Sequence, residues 1–160
     1  MQTIKIKYHD TDNKLEKIEK GDFIDLYTAE DVEIRNFEFK KISLGVSMQL
    51  PKGYHAEMVP RSSTFGRYGL IQTNHVGVID ETFCGENDVW QLPVYKLPVI
   101  KEGMNFFHLL KELFIRPKTK IAKGTRLCQF RIVKNMDDIN FEEVAYLGNK
   151  DRGKFGSTGV

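Results

Sequence analysis

The sequence has 160 residues, which is the size of one domain or of one protomer in an oligomer. Hydrophobic residues make up 41% and charged residues 29%, a composition that excludes intrinsic disorder and predicts a buried core. The formal net charge is +2, from 24 basic and 22 acidic residues, so the sequence gives no reason to expect general nucleic-acid binding. No apolar run approaches the roughly 18 residues that a membrane-spanning helix requires. We therefore expect no membrane association and a cytoplasmic location.

Cysteine and histidine are sparse. The two cysteines, Cys84 and Cys128, are too few for a disulfide scaffold, and neither has a Cys or His neighbour at zinc-site spacing. The four histidines are scattered, which argues against a transition-metal site. We expect both cysteines to be reduced thiols.

Hydrophobic and polar residues alternate along most of the chain, which is the pattern of half-buried strands. The alternating sets are Ile4, Ile6 and Tyr8; Leu44, Val46, Met48 and Leu50; Tyr54, Ala56 and Met58; and Cys128, Phe130 and Ile132. Turn signals at 51–53, 87–88 and 123–124 separate them. Many short strands with regular turns predict an antiparallel β barrel or sandwich.

One segment departs from this alternation. Residues 105–114, NFFHLLKELF, carry apolar side chains at three- and four-residue spacing, which predicts one short helix ending before Pro117. A buried strand pair is the alternative, because short apolar runs cannot be assigned by period alone.

Two segments carry groups suited to phosphate. In 60–64, PRSST, the planar cation of Arg61 stands beside hydroxyl groups, although such residues also serve as turn or cap residues. The glycine-rich segment 153–160 lets backbone N–H groups approach an anion, and it also contains hydroxyl groups and one aromatic ring. A frayed terminus is the alternative there, but a ring that could stack on a base, Phe155, argues against it.

Two carboxylates and one amide complete the candidate chemistry. Asp80 lies at the bend of a predicted strand, turn and strand spanning 74–86, where an ionised carboxylate could deprotonate water. Asp25 lies on a strand-like segment. Gln129 is predicted on the strand face opposite Cys128 and Phe130. Each of these residues could instead be purely structural.

Taken in order, five segments resemble the motifs of the homotrimeric deoxyuridine triphosphatases (dUTPases). The segments are IDLYTAED, PRSST, NHVGVIDETFCGE, GTRLCQF and RGKFGSTG. The resemblance covers nearly the whole chain, and five motifs in order are far more specific than any one. It implies an all-β jelly roll or barrel that forms a homotrimer, Mg²⁺-dependent hydrolysis of dUTP to dUMP and pyrophosphate, and a phage or Gram-positive bacterial source. This reaction keeps uracil out of DNA and supplies the thymidylate precursor.

The resemblance also implies where the active sites lie and what the residues do. Each of three sites at the subunit boundaries takes the first, second and fourth motifs from one chain, the third from a second and the fifth from a third. Asp80 would be the base that activates the attacking water, and Asp25 would hold Mg²⁺ through its water shell. The phosphate chain would contact Arg61, Ser62, Ser63 and Gln129.

Recognition of the base and sugar is implied for the third motif. The uracil edge would meet the side chain of Asn74 and the backbone of Gly77, Val78 and Ile79. Phe83 stands where the family usually has Tyr, under the deoxyribose. In the fifth motif Ser157 and Thr158 would bind the γ-phosphate, while Arg152 and Phe155 lie closer together than in the family pattern.

We expect residues 1–150 to form the catalytic β domain and 151–160 a flexible arm. The segment 97–119 is longer than the resemblance suggests, and it is either an insertion that stabilises the trimer or a surface for a protein partner. Two alternatives to a dUTPase stay open at this point. One is a dCTP deaminase on the same fold, with Glu81 or Glu86 as acid–base group, and the other is a regulatory protein that binds a partner through the insertion.

Overall fold

The computed structural model describes residues 3–9, 12–100 and 102–151, and these residues form short strands with two short helices. The strands are β1 (Lys5–Tyr8), β2 (Ile24–Tyr27), β3 (Val32–Arg35), β4 (Phe39–Ser43), β5 (Val46–Gln49), β6 (Tyr54–Pro60), β7 (Leu70–Gln72), β8 (Gly77–Ile79), β9 (Gln91–Lys96), β10 (Lys118–Ile121) and β11 (Arg126–Lys134). The helices are α1 (Ser63–Tyr68) and α2 (Phe106–Leu110). No helix in the described ranges is long and apolar enough to cross a membrane.

The strands pair into small antiparallel sheets. The largest has the order β2-β11-β6-β8, a second has β4-β9-β7, and the pairs β1-β5 and β10-β3 complete the set. The predicted all-β architecture is confirmed. The predicted alternation also holds where it matters for the core, since Ala56 and Met58 are buried on β6 and Phe130 on β11. Trp90 packs edge-on against the Phe130 ring, with the ring centroids 5.2 Å apart.

A bulge interrupts the pairing at the start of β11. The register with β2 shifts between Arg126 and Cys128, and Leu127 and Cys128 are both fully buried. Two consecutive side chains therefore face the core, which is the effect of one extra residue in a ladder. Beyond the bulge, the predicted placement is confirmed, because Gln129 lies on the accessible side.

The helix predicted within residues 105–114 is confirmed, and the strand-pair alternative is wrong. Asn105 caps α2 by accepting a hydrogen bond at Oδ1 from the backbone N–H of His108, 2.8 Å away. A π-helical turn, Lys111–Ile115, continues the helix. It stops at Arg116, whose φ of 52° is left-handed, immediately before Pro117.

Two elements differ from the sequence prediction. The short helix α1 begins at Ser63, within a segment for which the sequence analysis named turn or cap residues but predicted no helix. The strand predicted after Asp80 is not formed. Strand β8 pairs with β6, and the chain after β8 consists of turns. One of these turns is closed by Asp88, whose Oδ2 accepts from the Gly85 N–H at 2.7 Å. Aspartate and glycine favour such a turn over a strand.

Asn36, which follows β3, holds the segment 97–119 through contacts with Glu112 and Arg116. This side chain is fully buried, and its Nδ2 donates to the Glu112 carbonyl oxygen at 3.0 Å and to Glu112 Oε2 at 2.6 Å. Its Oδ1 accepts from Lys96 Nζ at 2.8 Å, and its carbonyl oxygen accepts from Arg116 Nε at 2.6 Å. Phe107 and Phe114 remain exposed in the segment 97–119, which the sequence analysis considered as an insertion. Its role in stabilising the trimer or in binding a partner stays a prediction.

Gly69 provides a test of how closely the chain at Leu97 packs against the end of helix α1. Its φ is +67°, and a Cβ added there would overlap the Leu97 carbonyl oxygen. Gly53 has a similar φ of +77° but open space around it. Gly53→Ala should therefore cost only the left-handed strain, about 1 kcal/mol, whereas Gly69→Ala should lose about 3 kcal/mol or more because the clash adds to the same strain. Urea unfolding of both variants at one protein concentration measures the difference, and equal destabilisation would contradict the packing described.

Candidate active site

Three predicted site residues converge beside the first half of β11. Gln129 lies directly opposite Asp25 in the ladder between β11 and β2. Arg61 follows the last residue of β6, and its backbone N–H donates to the Leu127 carbonyl oxygen at 3.0 Å. The sheet therefore brings the first, second and fourth motifs together within one protomer.

The Asp25 carboxylate lies between two guanidinium groups. Arg61 Nε is 3.3 Å from Oδ1, and Arg126 Nη1 is 3.1 Å from Oδ2. The Asp25 side chain keeps 25% of its surface exposed, so it remains accessible from a cavity of about 390 Å³ that these residues line with Gln129. A guanidinium has five N–H donors, so each arginine can hold Asp25 and still donate to an anion. One accessible carboxylate and two cations suit a phosphate chain that carries a divalent cation.

Arg126 belongs to this cluster although sequence reasoning missed it. Strict alternation places position 126 on the same face as Cys128 and Phe130, which is the buried face. The β11 bulge reverses the phase, so the guanidinium reaches Asp25 on the Gln129 side. A polar residue at a position that alternation assigns to the core was the available signal.

The hydroxyl groups of the second motif serve different purposes. Ser62 and Ser63 are exposed, and their hydroxyls have no hydrogen-bond partner within the described ranges. Thr64 is 2% exposed, and its Oγ1 donates to the Leu127 carbonyl oxygen at 2.6 Å. Thr64 therefore fixes the loop to β11, which leaves the two serines as the accessible hydroxyls.

A second cavity, of about 350 Å³, brings together the predicted third-motif residues. Its walls include Asn74, Gly77, Val78, Ile79, Asp80 and Phe83. Lys41 and Trp90, which the sequence analysis did not single out, also line it. A Cβ on Gly77 would lie only 3.1 Å from Met58 Cε, so glycine lets the β8 backbone lie close to β6.

Asp80 is exposed at the end of β8. Its carbonyl oxygen accepts from the Phe83 N–H at 3.1 Å, which closes a turn and leaves the carboxylate accessible. The neighbouring Glu81 is only half-buried and its Oε2 accepts from the Gly53 N–H. Of these adjacent carboxylates, Asp80 is thus the one whose side chain is not used by the fold.

The two cavities have no lining residue in common. In the sheet order β2-β11-β6-β8, Asp25 lies on one edge strand and Asp80 follows the other. Three strand spacings separate these edges, which is about 14 Å. Arg61 follows β6, which pairs with β8, but Met58 is opposite Gly77 and Ala56 is opposite Ile79, so Arg61 and Asp80 lie beyond opposite ends of this pairing. One protomer therefore does not bring Asp25 and Arg61 together with Asp80.

Three further predicted features have different outcomes. The fifth-motif residues Arg152, Phe155, Ser157 and Thr158 lie outside the described residues. Both cysteines are free thiols, as expected. Burial raises the pKa of the Cys128 thiol far above its ordinary value, and the nearby Asp25 carboxylate adds to this shift. Cys128 is therefore a core residue under the cluster and no nucleophile.

Comparison with known proteins decides the family. The dUTPase family model matches residues 19–92. The SPbeta prophage-derived deoxyuridine 5'-triphosphate nucleotidohydrolase YosS of Bacillus subtilis is 50% identical over 158 residues, which are 98% of each chain. The chain belongs to the dUTPase family. The predicted family and its hydrolase activity are thereby confirmed, and the name of this relative favours hydrolysis over the deaminase alternative.

Solved dUTPases share the fold at low sequence identity. The G164S mutant of the Staphylococcus bacteriophage 80alpha dUTPase, solved with dUpNHpp, has a TM-score of 0.72 and 19% identity, and the match covers all of both chains. A mutant dUTPase from phage phi11 of S. aureus, solved with a structural Mg(II) ion, has a TM-score of 0.67 and 16% identity. That match covers 91% of this chain and 99% of the other. These matches support the jelly-roll fold.

The geometry around Asp25 predicts which arginine on β11 binds phosphate. Arg126→Ala should weaken the binding of magnesium pyrophosphate about fivefold, because one partly exposed charge-assisted contact of about 1 kcal/mol is lost. Isothermal titration calorimetry measures this affinity. Arg131→Ala is the matched control, because Arg131 lies on the same strand but its Nη2 pairs with Glu57 Oε2 at 2.8 Å. Equal losses in both variants would contradict the assignment of Arg126 to the cluster.

Proposed function

We propose that this dUTPase hydrolyses dUTP to dUMP and pyrophosphate with Mg²⁺, in active sites that neighbouring protomers of a homotrimer share. The observation that supports sharing is the separation of the two cavities within one protomer. The residues suited to phosphate lie in one cavity and the exposed Asp80 in the other. A site that needs both groups is completed when the cavity of one protomer faces the third motif of the next.

The phosphate half of the site would be formed by the cluster around Asp25. Arg61 and Arg126 would neutralise the phosphate charge, and the amide of Gln129 would add a hydrogen bond that fixes the α-phosphate. Ser62 and Ser63 would offer their accessible hydroxyls to the same chain of phosphates. The catalytic contribution of these side chains is positioning and electrostatic stabilisation.

The residues present fit a hydrated Mg²⁺ ion. The accessible carboxylate of Asp25 offers oxygen atoms as ligands. In proteins Mg²⁺ keeps several of its waters and is held by one or two carboxylates together with the substrate phosphates. When bound, the ion would neutralise charge on the phosphate oxygens. The orientation of Asp25 toward the cavity would come from its two arginine partners.

Asp80 of a second protomer would act as the general base. Its carboxylate accepts a proton from the water that attacks the α-phosphorus, and the bond to the bridging oxygen breaks to release pyrophosphate. The same loop would recognise the nucleoside, with Asn74 and the backbone of 77–79 at the uracil edge and Phe83 under the deoxyribose. In this proposal Arg152, Phe155, Ser157 and Thr158, in an arm that follows the catalytic domain of residues 1–150, would cover the nucleotide and its γ-phosphate. The free nucleotide substrate supports a cytoplasmic location.

A substrate panel tests the reaction. With dUTP, dCTP, dTTP and UTP, we expect pyrophosphate release from dUTP alone, because cytosine, the thymine methyl group and the 2′-hydroxyl each mismatch one wall of the site. Equal hydrolysis of dCTP would refute the base specificity, and ammonia release from dCTP would support the deaminase alternative.

The metal requirement has its own test. Chelation by EDTA should abolish turnover and added Mg²⁺ should restore it.

The role of Asp80 predicts a separation of turnover from binding. Asp80→Asn should lower kcat by at least about a hundredfold, because the amide keeps the shape but cannot accept the proton. Titration with dUpNHpp should show nearly unchanged affinity. Asp88→Asn makes the same chemical change in the same loop, and its amide oxygen can still accept from the Gly85 N–H, so it should keep normal turnover. A matching loss of nucleotide affinity in Asp80→Asn would contradict a purely catalytic role.

Sharing between protomers predicts complementation. Asp80→Asn and Arg61→Ala chains should each be inactive, but trimers reassembled from an equal mixture should regain about a quarter of wild-type turnover. This fraction follows because about three quarters of randomly assembled trimers are mixed, and in each mixed trimer one of the three sites receives both intact residues. Each variant refolded alone at the same concentration is the control. Absence of recovery in verified mixed trimers would show that both residues act within one chain.

A further inference from the structure

The buried side chain of Gln72 contacts the residue that we place at the uracil edge. Gln72 ends β7 and is 6% exposed. Its Nε2 donates to the Met58 carbonyl oxygen at 3.0 Å and to Asn74 Oδ1 at 3.0 Å. Asn74 lies in the turn between β7 and β8, so Gln72 connects that turn to strand β6.

The Met58 carbonyl determines how both amides are oriented. A carbonyl oxygen can only accept, so the Gln72 atom beside it must be the NH₂ group. The second hydrogen of that NH₂ then requires an acceptor, and the Asn74 atom that it meets must be Oδ1. The remaining polar group of the Asn74 side chain is therefore its Nδ2 donor.

The Asn74 donor lies at the cavity wall. A Cβ built on Gly77 would be 3.5 Å from Asn74 Nδ2, and Asn74 and Gly77 both line the cavity of about 350 Å³. No described residue accepts a hydrogen bond from this NH₂ group. It is thus available to a ligand acceptor in the cavity.

Burying the Gln72 side chain has a free-energy cost that an apolar side chain would not have. Its Oε1 is buried and has no hydrogen-bond partner within the described ranges. Leaving such an acceptor unpaired is destabilising, and an apolar side chain of similar size, such as methionine, would avoid it. The neighbouring Ile71 is exposed, so the ordinary placement of apolar and polar residues is reversed on this strand. These features point to a positional role for the Gln72 amide.

We propose that Gln72 is a specificity-positioning residue, which locks the Asn74 amide with its NH₂ toward the base. This inference rests on the proposed function. A fixed donor pairs with a carbonyl of uracil, whereas the exocyclic amino group of cytosine also donates and leaves both groups unpaired. Gln72 would act through Asn74 and would not itself touch the nucleotide.

Two variants test the lock through the ratio of kcat/KM for dUTP to that for dCTP. In Gln72→Met the Asn74 amide can rotate, and we expect the ratio to fall about tenfold through a higher KM for dUTP, with kcat little changed. In Gln72→Glu a carboxylate accepts only, so Asn74 should turn its NH₂ inward and present Oδ1 to the base. The ratio should then fall further, because an acceptor matches the cytosine amino group.

The outcomes separate this inference from the proposed function. If the wild-type protein does not prefer dUTP, the proposed function itself fails. If the wild type prefers dUTP and Gln72→Met keeps the same ratio, including a uniform loss on both substrates with a lower Tm, Gln72 is structural and the inference is wrong. Adding Gln72→Met to Asn74→Ala should leave the ratio unchanged from that of Asn74→Ala, since the lock then has nothing to hold. A further drop in the double variant would also overturn it.

Discussion

The arrangement of the cluster around Asp25 depends on hydrogen bonds to the Leu127 carbonyl oxygen on β11. One carbonyl oxygen accepts both the Arg61 N–H and the Thr64 hydroxyl, which ties the second motif to the fourth. The same strand pairs with β2, so that Asp25 is opposite Gln129. Because ladder hydrogen bonds set these positions, the charged groups are arranged before any ligand arrives. Such preorganisation is the main contribution that a protein makes to phosphate chemistry.

The sheet that builds this cluster also separates it from the third-motif residues of the same protomer. Asp25 and Asp80 belong to opposite edges, and two intervening strands keep them apart at a distance that strand spacing fixes. No side-chain rotation removes a separation of that size. Under the proposed function these groups would meet only across protomers, and the concentration of active sites would be linked to the stability of the proposed trimer.

Sequence reasoning succeeded where local patterns and motif order agree, and it failed where one residue changes the phase. The motifs predicted Asp25, Arg61 and Gln129 as a group, and the structure brings them together. The membership of Arg126 in this group was not predicted, because alternation of polar and apolar residues does not reveal a bulge.

The other errors have the same local origin. The strand predicted after Asp80 gave way to a turn that Asp88 and Gly85 close, and side-chain hydrogen bonds of this kind compete with strand pairing. The helix α1 was missed because Ser63 and Gly66 are weak helix formers, and the left-handed Gly69 that ends it is recognisable only once the helix is known. Gln72 was missed because a buried amide in a three-residue strand has no pattern of its own, and the exposure of the neighbouring Ile71 is known only from the structure.

The sheet β4-β9-β7 shows why buried polar groups define geometry that apolar packing would leave loose. Its strands carry Gln72, whose amide donates to Asn74 Oδ1, and Lys96, whose ammonium donates to Asn36 Oδ1 and, at 2.9 Å, to the Leu97 carbonyl oxygen. Burial lowers the pKa of Lys96, and the nearby Glu112 carboxylate offsets part of that shift. A hydrophobic contact tolerates a small slip, whereas a buried donor that loses its acceptor is strongly penalised. The two polar side chains therefore hold one arrangement each. Gln72 holds the turn that contains Asn74, and Lys96 holds Asn36, which contacts the segment 97–119. The apolar residues around them supply the stability that both arrangements require.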